Sequence, residues 1–214
     1  VRASQPTPAP VKTTPRKRPR QERAKATVET ILEASARILV KRGFDGFTTN
    51  EVATAAGVSI GSLYQYFPNK EALVAALIEK HVEEMSALLM GQLVRVATLP
   101  ISQGVRIVIE LTIQAHAVDP ELHRVLTEQV PRVGRMKRVH ELDALGHRAV
   151  TELLKARQDE LAIRDPEMAS FLLCSAIEAI VHRAALHAPE KLRDPRLVDE
   201  ACALVTRYLG GADG

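Results

Sequence analysis

Three Asp-Pro dipeptides, Asp119-Pro120, Asp165-Pro166 and Asp194-Pro195, constrain this chain more than any other feature. In each, the aspartate side chain is suited to accept from the open N–H groups of a helical first turn. The proline then falls at the first helical position, where a missing N–H loses nothing. They read as three helix starts, in a chain where helical spacing recurs from about Gln21 onward and sustained strand alternation is not found. Helices are predicted over about 21–42, 49–56 and 60–66, then a longer one to about Val96, and others near 101–117, 120–130, 132–157, 166–187 and 195–209. Gly43 ends the first as a left-handed stop, and Gly210-Gly211 closes the last. The fold class is all-α.

Ahead of this helical body lies a segment of different composition. Five of the twelve prolines (Pro6, Pro8, Pro10, Pro15, Pro19) sit in the first 20 residues, where almost nothing is able to build a core, so residues 1–20 are expected to be disordered when free. The net charge of +3 is divided unevenly: residues 1–26 carry +7 and the remainder −4. A basic arm on a slightly acidic body points to a polyanion, either nucleic acid or an anionic lipid surface. Arg16, Lys17, Arg18 and Arg20 are the candidates for a minor groove or a phosphate backbone. No apolar run approaches the roughly 20 residues that span a bilayer, and the N-terminus lacks the apolar stretch of a signal peptide, so a soluble, cytoplasmic protein without a membrane is expected. Cys174 and Cys202 lie inside apolar helical patterns and are expected to be reduced, buried thiols.

Residues 43–78 hold five of the chain's seven aromatic side chains: Phe44, Phe47, Tyr64, Tyr66 and Phe67. Thr48 and Glu51 have capping-box spacing and start a short helix. Gly57 permits a sharp turn, and Ser59 caps a second short helix. Two helices joined by a turn of about three residues containing glycine form a helix-turn-helix. Val52, Ala53, Ala56, Val58 and Leu63 suit its interior, while Ile60, Gly61, Ser62, Tyr64 and Tyr66 point outward. None of the outward positions is charged, which fits a major groove better than bulk water. Asn69 caps the next helix, with Lys70 in its first turn placed for a phosphate.

The run Gly43-Phe44, Thr48-Thr49, Val52-Ala53, Ala56-Gly57-Val58-Ser59, Gly61, Leu63-Tyr64, Tyr66-Phe67, Asn69-Lys70-Glu71 and Leu73 resembles the DNA-binding domain of the TetR family of transcriptional regulators. The resemblance is close over about residues 27–80. Beyond them it extends only to length and all-helical layout. It implies a homodimeric repressor whose larger domain binds a small-molecule inducer. It also implies that Thr49, Ile60, Gly61, Ser62, Tyr64, Tyr66 and Lys70 face DNA, with Ser59 at the head of their helix. The expected organisation is a basic arm (1–20), a helix-turn-helix DNA-binding domain (21–80) and a larger helical ligand-binding and dimerisation domain (81–214). The duplex partner would be a palindromic operator.

In the C-terminal part, the 166–187 helix is apolar almost all round and the 195–209 helix has two apolar faces. Such helices need cover on more than one side. Packing two of each as a four-helix bundle across a two-fold axis supplies it, and central burial within one chain is the alternative. Gln114, His116, Glu178 and His182 are polar residues within apolar helices and are the candidates for an inducer pocket or for mutual satisfaction. His140 and His147 share a face but lie about 10.5 Å apart along a helix, too far for one ion, so no metal and no cofactor is expected. No nucleophile with a positioned base, phosphate loop or carboxylate pair appears, and an enzyme is not indicated. An activator of the same fold stays open. So does a helical interaction module with an anionic-surface arm, although the arm's prolines disfavour the amphipathic helix that membrane-surface binding normally uses.

Overall fold

The computed structural model describes residues 22–117, 119–133 and 137–210. Among them it has ten α-helices and no strand, so the all-α reading holds. The first four are α1 (Glu22–Gly46), α2 (Thr49–Ala55), α3 (Ile60–Tyr66) and α4 (Lys70–Met90). There follow α5 (Leu93–Thr98), α6 (Ile101–Ala117), α7 (Pro120–Val133), α8 (Lys137–Ala156), α9 (Pro166–His187) and α10 (Pro195–Leu209). The arm, with Arg16, Lys17, Arg18 and Arg20, lies outside the described residues.

All three Asp-Pro dipeptides open helices. Asp119 Oδ1 accepts from Leu122 N–H at 2.9 Å, Asp165 Oδ1 from Glu167 and Met168 N–H at 3.0 and 3.1 Å, and Asp194 Oδ1 from Arg196 N–H at 3.0 Å. The guanidinium of Arg196 also donates to Asp194, which lowers that carboxyl to about 2 and keeps the cap ionised. Some boundaries differ from the sequence reading: α7 runs to Val133 rather than about 130, and α8 starts at Lys137 rather than about 132. The predicted helix to Val96 is two helices, broken at Gly91-Gln92 between α4 and α5. Gly43 breaks the first helix where the sequence places its stop, with φ 66° and ψ 177°, a positive φ that glycine adopts without strain, and a short further turn runs on to Gly46.

The described residues fall into two compact units, residues 22–78 with 125–133, and residues 79–117 and 119–124 with 137–210. In the first, the inward stripe of α1 buries Ile31, Leu32, Ser35 and Leu39, with Ala34 beside them. Phe47, Val52, Ala53, Leu63, Phe67 and Leu73 complete an aromatic-anchored core. Burying such side chains contributes roughly 1.5–3 kcal/mol each, enough to hold short helices that are unstable alone.

In the second unit, α9 packs against α6 and α8, and α10 against α6. The small residues Ala169, Ala184, Ala185 and Ala201 let Ile109, Ile113, Ile177, Val181 and Val205 approach closely. The expectation that no run approaches a membrane span is corrected by α9, whose 22 residues include an 18-residue stretch of mean hydropathy 1.4, long and apolar enough by length and composition. Its buried face belongs to the unit's core, which explains the composition. Cys174 is half-buried and Cys202 buried; both are free thiols. Gly210 ends α10 in the left-handed conformation, φ 74° and ψ 21°, and a Cβ there would collide with Ala162, whose N–H donates to Leu209 O at 2.9 Å. Gly210→Ala is therefore expected to lower stability by about 1–3 kcal/mol through backbone strain and overpacking. Chemical denaturation reads the change, and a loss within about 0.5 kcal/mol would mean that Ala162 yields freely.

Candidate nucleic-acid interface

The 48–70 segment is built by local hydrogen bonds that its sequence specifies. Thr48 Oγ1 accepts from Glu51 N–H at 3.3 Å, and the Thr48 hydroxyl donates to Glu51 Oε2 at 3.1 Å. The glutamate thus returns to the threonine side chain, so the capping pair closes upon itself at the start of α2. At the other end, Gly57 has φ 65°, its N–H donates to Thr54 O at 3.2 Å, and Val58 N–H reaches back to Ala53 O at 3.0 Å. This is the Schellman arrangement, and it requires the conformation that glycine alone adopts cheaply. Ser59 then caps α3, accepting from Ser62 N–H at 3.0 Å. Asn69 Oδ1 accepts from Ala72 N–H at 2.8 Å and starts α4.

Between these caps the two short helices cross with Val52, Ala53 and Leu63 buried and Ala56 and Val58 half-buried, as the interior positions require. The exposed side of α3 presents Ile60, Gly61 and Tyr64, and Gln65 with them, while Ser62 and Tyr66 are half-buried. Gln65 was not among the sequence-derived candidates. Its spacing of four from Gly61 places it on the same helix face, and its amide is a base-reading group of the kind that pairs with adenine. Tyr64 hydroxyl and Thr49 Oγ1 lie 3.1 Å apart, which ties α2 to α3 across the turn. The Ser59 and Ser62 hydroxyls are 2.8 Å apart.

Lys70 departs from its expected pose. Its Nζ donates to Phe44 O at 3.1 Å and sits 4.3 Å from the centre of the Phe44 ring, held by a carbonyl and a cation–π contact. A phosphate would have to draw it from that cradle.

The four candidate pocket residues separate. Gln114 and Glu178 are exposed, whereas His116 is buried and His182 half-buried, their ring centres 4.9 Å apart. Gln114 is two residues from His116, about 200° around α6, so one of the pair must face outward when the other is buried. The structure adds His81 and His123 to this group, neither of which the sequence reading selected. His116 and His123 are seven residues apart but on different helices, and every other pair is 35 or more positions apart, so nothing along the chain connects the four.

Two short helices, a glycine-closed turn and an exposed, uncharged second helix define a helix-turn-helix DNA-binding protein. The family model for bacterial regulatory proteins of the tetR family matches residues 31–77, and the one described as tetracyclin repressor-like, C-terminal domain, matches residues 100–209. The chain belongs to the TetR family of transcriptional regulators. The HTH-type regulator YwcC of Bacillus subtilis is 24% identical over 179 residues, covering 77% of this chain and 78% of that protein. YvkB of the same organism is 38% identical over 63 residues, a match that spans only 33% of its length. A Mesorhizobium loti structure assigned to the TetR family superposes with TM-score 0.72 at 16% identity, covering 89% of this chain and 98% of that one.

Proposed function

We propose that this regulator is a cytoplasmic homodimeric repressor, with a DNA-binding domain at 21–80 and a ligand-binding and dimerisation domain at 81–214. Two copies of α3 read the halves of a palindromic operator, and a small-molecule inducer releases it. The observation that carries the reading is the face of α3, where Ile60, Gly61, Tyr64 and Gln65 are exposed without a charge among them. Such a face gives base-edge and methyl contacts, leaving affinity to the phosphates. Thr49, Ser59, Ser62 and Tyr66 frame it, and Lys70 and the arm are assigned to the backbone. The repressor assignment is supported by the repressor-like description of the matched C-terminal family. The dimer is supported by Met168, Phe171 and Leu172 on α9 and Leu204 and Tyr208 on α10, large apolar side chains left exposed on the two helices expected to pair. His116 and His182 are the inducer-pocket candidates that remain, and no catalytic step is assigned.

Selecting bound fragments from genomic DNA tests this. The expected product is a set of inverted repeats whose half-sites are centred on one face of the duplex, roughly 34–36 Å apart or a multiple of it. Enrichment of fragments without dyad symmetry would overturn the dimeric reading.

A further inference from the structure

The second unit gathers histidines from four helices: His81 of α4, His116 of α6, His123 of α7 and His182 of α9. His116, His123 and His182 form a closed triangle, with ring centres 4.5, 4.9 and 4.9 Å apart and each pair edge to face. One ring nitrogen from each lies within 4.8 Å of the other two. His116 is 2% exposed, His123 4%, and His182 half-buried. Ring edges packed together cover carbon well but satisfy nitrogen poorly, so such a cluster carries a desolvation cost that apolar residues would avoid.

The hydrogen bonds around the triangle decide which nitrogens bear lone pairs. His116 Nδ1 is 2.7 Å from Thr112 O, an atom that only accepts, so Nδ1 holds the hydrogen and Nε2 the lone pair. That Nε2 is fully buried and makes no hydrogen bond. His81 Nε2 lies 2.8 Å from His123 Nδ1; by accepting from Nδ1–H it would hold His123 in the tautomer whose Nε2 is a donor to a cation. Carbonyl or side-chain acceptors behind a ligating ring are what metal-binding histidines normally have. Burial lowers the pKa of His116 to about 4 and of His123 to about 3, and also lowers that of His81.

We propose that His116, His123 and His182 bind a divalent transition-metal cation of the zinc, cobalt or nickel type, with His81 positioning His123. Imidazole donors select these ions over magnesium or calcium. In a tetrahedral zinc site with bonds of about 2.0–2.1 Å the nitrogens stand about 3.4 Å apart, so the triangle contracts by an ångström or so on binding. Three ligands leave a fourth position for water or a donor atom of an organic effector. Resting on the ligand-responsive reading above, the cation is the effector or part of it. It draws on α4, the helix that begins at Lys70 just after α3 and carries His81.

The test uses the full chain without a histidine tag, stripped of metal and titrated with cobalt(II), whose visible absorption reports tetrahedral nitrogen ligation, followed by displacement with zinc(II). One site per chain is expected. His116→Ala and His182→Gln each weaken cobalt binding by 100-fold or more, and His81→Gln by about 10–100-fold. His140→Gln, an exposed control on α8, leaves it unchanged. Circular dichroism of the metal-free variants checks folding, and half-buried His182 keeps the test valid if His116→Ala unfolds. Absence of the cobalt band in protein that still binds its selected DNA overturns the site and leaves the regulator reading intact, as does a band that survives both the His116 and His182 substitutions. A lost band in those variants, with zinc shifting operator affinity at least fivefold in the parent, supports both site and role. An operator affinity indifferent to zinc overturns the effector role.

Discussion

Replacing Phe171 by glutamate is expected to split the proposed dimer and, with it, operator binding. Phe171 is 59% exposed in the single chain and Met168, one turn before it, 53%. Leu172 lies beside them on α9, with Leu204 and Tyr208 on α10. Exposure of this kind on consecutive turns of two helices is unusual unless another molecule covers it. In a two-fold interface each substitution acts twice, placing two carboxylates in an apolar patch. With an uncompensated buried charge costing several kcal/mol, the dimer dissociation constant should rise by at least about 100-fold, or about 2.7 kcal/mol. Operator affinity should fall with it, because two half-sites are no longer held by one molecule. Sedimentation and DNA retention read the two effects on the same sample, and thermal unfolding checks the protomer, which loses little because Phe171 is outside its core. A Phe171→Glu protein that sediments as a dimer at the parental concentration would move the interface off α9.

What the sequence made legible follows the range of the physics. Asp119, Asp165 and Asp194 cap helices through atoms two or three residues away, so their dipeptides announce the structure almost alone. Gly57 is equally local, since the Schellman bonds join residues 53, 54, 57 and 58. The helix-turn-helix was therefore readable as a unit, including Val52, Ala53 and Leu63 in its interior. For Lys70 only its place at a helix start is visible in sequence, and that is what points it to a phosphate. Its grip on Phe44 comes from a residue 26 positions earlier. Gln114 and Glu178 are polar residues in apolar helices, but periodicity gives the face of a helix and not which neighbour covers it.

The histidines show the same boundary more sharply. His140 and His147 share one helix face, and their separation speaks against one ion binding both. The triangle instead takes one ring from each of α6, α7 and α9, with His81 of α4 behind it, and none of those spacings resembles a ligand motif. A site assembled by tertiary packing leaves no local trace beyond the presence of polar residues where apolar ones would pack better. His116 and His182 carried that trace, and His81 and His123 did not.

Tyr64→Ala should reduce binding to the selected operator by about 10–100-fold while leaving random duplex nearly unaffected. The tyrosine is 40% exposed at the centre of the uncharged face of α3, where a lost base contact is worth about 1–3 kcal/mol. Non-specific binding depends on neutralised phosphates, which Tyr64 does not supply. The same side chain also holds Thr49 at 3.1 Å, so it has a structural role as well as a reading one. Tyr64→Phe separates the two, since it keeps the ring and removes the hydroxyl that joins α2 to α3. If the ring reads bases, Tyr64→Phe retains most of the discrimination and Tyr64→Ala loses it, both measured as the ratio of operator to random affinity at one salt concentration. Equal losses on both sequences in Tyr64→Ala would make the residue a brace between α2 and α3, and would leave sequence reading to Ile60, Gly61 and Gln65.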